Sequence, residues 1–164
     1  MSSDSDSWEM LVLTLTEGIE TCALQGLRVE PPPRQSRCRV YIVFTDLKGS
    51  AAALEVAAEL TANLEIDLAM VAVQTVPFVL PLSDPPVSLD FKMCQLRDLI
   101  KSTGLQVQAT IYLCRDDTET LLRILPPAAL VVMGMKKSRL PSRAKYLAGV
   151  LERHSHQVLR VTYY

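Results

Sequence analysis

The stretch RVYIVFTDLKGSAAALEVAAEL (residues 39–60) decides how this chain is read. After Arg39 the next six residues are all β-branched or aromatic, the composition of a strand. The chain then turns through Asp46, and GSAAALEVAAELTANL (49–64) sets Leu54, Ala57, Ala58, Leu60 and Leu64 at helical spacing. Ser50 is the expected cap of that helix. A strand that runs directly into an amphipathic helix is the repeating unit of α/β proteins.

Outward from this unit the alternation continues. IDLAMVAVQTV (66–76) reads as a second strand, and a proline-rich loop (77–88) leads to the helix LDFKMCQLRDLIKSTG, closed by Gly104. LQVQATIYLC (105–114) is a third strand. RDDTETLLRIL (115–125) is a short helix, with Asp116 and Glu119 placed as a capping box. AALVVMG (128–134) is continuously apolar, as expected of a strand covered on both faces. SRAKYLAGVLERH (142–154) is the last helix and QVLRVTYY (157–164) the last strand. The fold class is therefore α/β, with a single five-stranded, mostly parallel sheet and helices on both faces.

Residues 1–36 differ. Trp8, Leu11, Val12, Leu15, Ile19, Cys22 and Ala23 recur at helical spacing, between Ser7 as a cap and Gly26 as a stop. The expectation is an N-terminal amphipathic helix, followed by the stiff linker EPPPRQS (30–36). Such a helix packs on its own domain, or it serves as an arm toward a protein partner or a second copy, or it lies on a membrane surface. The expected division is residues 1–36 and an α/β domain over residues 37–164.

Composition excludes several classes. The net charge of −1 over 164 residues does not suit a nucleic-acid partner. Cys22, Cys38, Cys94 and Cys114 are far apart, without CxxC or histidine at ligand spacing, so zinc and thioredoxin-type chemistry lack support. The acidic start MSSDSDSWEM lacks the basic region of a secretory leader, and the cysteines read as reduced in a cytoplasmic protein. The longest apolar run, LAMVAVQTVPFVLPL (68–82), is broken by Gln74, Pro77 and Pro81. No GxSxG, HExxH or P-loop is present, so nothing in the sequence supports an enzyme.

In open α/β sheets ligands gather beyond the carboxyl ends of the strands, so the residues just after each strand are the candidates. After the fourth strand, LVVMGMKKSRLPS (130–142) places Lys136, Lys137, Ser138 and Arg139 directly behind Gly134, with Arg143 and Lys145 following. This is either an anion site at a helix amino end or a solvated basic loop. Asp46 is a ligand residue or a cap. Cys114, close to a helix amino end, is either a reactive thiol or a buried strand residue. His154 and His156, and the acids Asp116, Asp117 and Glu119, read as structural.

VFTDLKGSAAALEVAAEL (43–60), LVVMG (130–134) and VLERHSHQVLRV (150–161) together resemble the universal stress protein family over about residues 37–163. The resemblance implies strand order 3-2-1-4-5, with a crevice between the first and fourth strands. It implies an adenine-side role for Asp46, main-chain adenine contacts around Val73, and Gly134 as the first glycine of Gly-x2-Gly-x9-Gly-Ser/Thr. Lys137 stands at the second glycine position, and Leu147 or Lys145 near the third. Lysine there attracts phosphate but keeps the backbone from close approach. The expectation is a regulatory or stress-response binding module, homodimeric through its last strand, without standard ATP binding. The alternatives are an ATP or AMP sensor whose phosphate site is rebuilt from Lys136, Lys137 and Ser138, and a cytoplasmic regulatory domain of a membrane transporter.

Overall fold

The computed structural model describes residues 11–16, 19–21 and 38–164. The chain order is β1 (Leu11–Thr16), β2 (Ile19–Thr21), β3 (Arg39–Val43), α1 (Leu47–Thr61), β4 (Asp67–Thr75), α2 (Leu89–Thr103) and β5 (Val107–Cys114). It continues with α3 (Asp117–Ile124), β6 (Leu130–Lys136), α4 (Arg143–Arg153) and β7 (Gln157–Tyr163).

All strands lie in one sheet, in the order β2-β1-β5-β4-β3-β6-β7. The five strands β5-β4-β3-β6-β7 are mutually parallel, which is the expected order 3-2-1-4-5. Right-handed crossovers explain how the helices are distributed. The chain moves one way from β3 through β4 to β5, then reverses through β6 to β7, so its helices divide between the two faces. On one face Leu54, Ala57, Leu96 and Ile100 of α1 and α2 pack on Ile42, Met70, Ala109 and Val132. On the other, Leu121, Leu147 and Leu151 of α3 and α4 pack on Val43, Val71, Val131 and Met133. Each large side chain so buried contributes about 1.5–3 kcal/mol, and small Ala53 and Ala57, both fully buried, let α1 lie close to the sheet.

Several local expectations hold. Gly104 ends α2 in the left-handed conformation, at φ 66. Asp116 caps α3, its Oδ1 accepting from the Glu119 amide at 2.9 Å. One expectation is corrected. The cap of α1 is Asp46, not Ser50: helical residues begin at Leu47, and the Asp46 carboxylate accepts from the Gly49 amide. Ser50 is buried within the first turns, where its Oγ accepts from the Thr45 amide at 3.2 Å. The expected N-terminal helix and its linker lie mostly outside the described residues; of that segment the structure describes Leu11–Thr16 and Ile19–Thr21, as antiparallel strands, with β1 extending the sheet beyond β5. The run LVLTLT carries the alternation and branched side chains of a strand, and the open edge of β5 gives it a ladder to complete.

Candidate functional site

The reversal of strand order lies between β3 and β6, where ligands sit in open α/β sheets. Two candidate residues, Asp46 and Gly134, meet there, but through the protein's own packing. Gly134 is buried at the end of β6, directly beneath the first turn of α1. A Cβ on Gly134 would fall inside the carbonyl group of Gly49, and one on Gly49 would lie 2.8 Å from the Gly134 oxygen. The two glycines therefore let helix and strand backbones touch. Thr45 ties the contact, its hydroxyl donating to the Gly134 oxygen at 2.7 Å. The glycine that the resemblance assigns to a phosphate loop is required here by helix packing.

Asp46 has both oxygens engaged. Oδ1 accepts from the Gly49 amide at 2.7 Å, and Oδ2 accepts from the Tyr163 hydroxyl at 2.9 Å. That hydrogen bond, reinforced by the carboxylate's charge, holds the Tyr163 hydroxyl above its ordinary ionisation range. Tyr163 is positioned by the β6–β7 ladder, in which it pairs with Lys136. The Lys137 amide then donates to the Tyr163 carbonyl at 2.8 Å. Nothing local in the sequence announces Tyr163, because its partner Asp46 is brought near only by the sheet.

The basic cluster does not converge on one point. Lys137 donates to the Tyr164 hydroxyl at 2.9 Å, with its ammonium 4.6 Å from the centre of that ring. Arg143 pairs with Asp117 and also donates to the Thr118 hydroxyl at 3.1 Å, linking the amino ends of α4 and α3. Lys145 is held by the carbonyls of Ser138 and Leu140. The Ser138 hydroxyl accepts from the Leu140 amide at 3.1 Å. The Lys136 and Arg139 side chains are exposed and make no hydrogen bond or ion pair among the described residues.

Val73 stands on the other side of the crevice. β4 continues to Thr75 after its pairing with β3 ends at Val71, whose carbonyl accepts from the Phe44 amide at 2.8 Å. The Val73 side chain packs into the core of the α3 and α4 face. Arg115, just after β5, is spent on structure: one terminal nitrogen reaches the carbonyls of Val76, Pro77 and Leu80 at 3.1, 2.7 and 2.9 Å. It fixes the loop that presents Phe78 and Val79, which are 82% and 90% exposed.

Cys114 is a buried strand end. Burial pushes its thiol pKa up, and the nearby Asp116 and Asp117 charges add to that, so the thiolate is disfavoured. His156 is buried and accepts from the Ala129 amide through Nδ1 at 3.3 Å. Burial pushes its pKa down, helped by the neighbouring His154. Among the described residues no group of histidine, cysteine or acidic side chains could hold a metal ion. No helix among them is long and apolar enough to cross a membrane. Set against models of known protein families and against curated proteins, the chain matches none.

Proposed function

We propose that this protein is a non-catalytic regulatory binding module of the universal-stress-protein type, whose nucleotide crevice is occupied by its own side chains. The observation that carries this reading is the double engagement of Asp46, with Gly49 on one oxygen and Tyr163 on the other. A nucleotide entering beside Asp46 meets an exposed carboxylate already engaged by the Gly49 amide and competes there with the charge-assisted hydrogen bond from the Tyr163 hydroxyl. It also meets Lys137 where close backbone approach to phosphate calls for glycine.

In this reading the protein acts through contacts with other proteins, a second copy first. Supporting that is β7, which pairs with β6 on one side and with no strand among the described residues on the other. An open edge of this kind is a ready template for a further strand. The test is calorimetric titration of the purified protein, freed of co-purified nucleotide, with ATP and AMP, beside sedimentation to read the assembly state. The reading expects no binding up to millimolar nucleotide and a dimer. Micromolar binding that Asp46→Ala and Lys137→Ala both weaken would replace it with a nucleotide sensor.

A further inference from the structure

Residues 136–143 are exposed without a break. Residues 130–151 contain five cations, Lys136, Lys137, Arg139, Arg143 and Lys145, and no Asp or Glu. Within this run Arg139 stands three residues before Ser142, a hydroxyl whose one hydrogen bond among the described residues is a 3.3 Å contact from the Lys145 amide. Protein kinases that read arginine at that spacing do so with carboxylates in their peptide groove, which need an extended, accessible segment and a guanidinium free of other partners. The Arg139 guanidinium has no partner among the described residues, whereas Arg143 is held by Asp117. Ser142, the N-cap of α4, is itself extended at φ −137 and ψ 160, and the 138–140 turn held by Lys145 has to open for the groove.

We propose that this segment is a phosphoacceptor site, with Ser142 modified by an arginine-directed serine kinase using ATP. In the transfer Ser142 Oγ bonds to the γ-phosphorus as the bond from that phosphorus to the β–γ bridging oxygen breaks. ADP leaves with the electron pair, and the hydroxyl proton passes to the kinase's base. The product places about two negative charges beside Lys145, whose ammonium now rests only on the main-chain carbonyls of Ser138 and Leu140. The ammonium turns to the phosphate, and the 138–140 turn is released. Ser138, with methionine rather than arginine three residues before it, is not the acceptor.

The experiment incubates the full chain with Mg-ATP and the catalytic domain of a calcium/calmodulin-dependent protein kinase, maps phosphate by mass spectrometry, and follows thermal unfolding. The expected result is phosphate on Ser142, a higher Tm for the product, and a smaller rise in Lys145→Ala. Arg139→Ala, an exposed change that leaves the fold intact, slows transfer about tenfold, as befits one lost charged contact. Phosphate on Ser138 instead, no transfer, an unchanged rate in Arg139→Ala, or a product with no gain in Tm would each overturn the proposal.

Discussion

The two sides of the β6 carboxyl end are built on opposite principles. On the α1 side, Gly134, Gly49, Thr45, Asp46 and Tyr163 form a closed set in which backbones touch and the carboxylate is satisfied twice. On the α4 side, residues 136–143 are exposed and their cations do not converge: Lys137 goes to Tyr164, Arg143 to Asp117 and Lys145 behind them to the loop's own carbonyls, while the Lys136 and Arg139 side chains have no partner among the described residues. The difference shows that a glycine after a strand and lysines behind it do not make one site. The glycine belongs to the helix that crosses above it, and the lysines belong to the loop.

The sharpest way to break this comparison is at the glycines. Gly134→Ala should cost more than about 3 kcal/mol in denaturant unfolding, beyond ordinary overpacking, because its Cβ collides with rigid backbone. If Gly134 served a phosphate loop instead, the variant would fold nearly as well as the parent. Gly149, on α4, has open space around its Cβ position, so Gly149→Ala should gain about 0.5–1 kcal/mol from helix propensity alone. A loss there would show that α4 is packed more tightly than described.

An effect of middle size comes from His156, at the amino ends of β6 and β7, away from the crevice. Its folded-state pKa lies below the ordinary 6.5, so the unfolded chain takes up the proton first. The stability it contributes is present above about pH 6.5 and is lost as pH falls through the folded-state value, with a slope of at most about 1.4 kcal/mol per pH unit. Unfolding measured between pH 7 and pH 5, roughly the histidine range, should show this slope flattened in His156→Asn, whose side-chain oxygen keeps an acceptor for the Ala129 amide. The smallest change is expected at Arg143. Removing its half-exposed pair with Asp117 in Arg143→Ala should cost about 0.5–1 kcal/mol and fade with added salt.

The five parallel strands and four helices were legible because each core strand is apolar and each helix has a local stop or stripe, as in Gly104 and the α1 alanines. The first segment is ambiguous in sequence, because Leu11, Val12, Leu15 and Ile19 satisfy helical spacing while LVLTLT also alternates. For the described Leu11–Thr16 the strand has its partner in the edge of β5, which lies far along the chain. The cap of α1 was misplaced for a smaller reason: Ser50 and Asp46 are both good caps, and the choice depends on where the helix leaves the strand. In the crevice, the positions of Asp46 and Gly134 were legible but their partners were not. Tyr163 and Gly49 come to them through sheet topology, which no spacing rule in the sequence encodes.

The central claim, that the crevice is closed from within, is tested most directly by following the ionisation of the Tyr163 ring by NMR, with and without millimolar ATP. The account predicts ionisation above the usual tyrosine value near 10, so the hydrogen bond is intact below that pH and is lost as pH rises through the raised value. It predicts that Asp46→Asn, which removes the charge, reduces the elevation and that ATP leaves it unchanged. An ordinary Tyr163 titration, or a saturable change of its signal on adding ATP, would contradict the account.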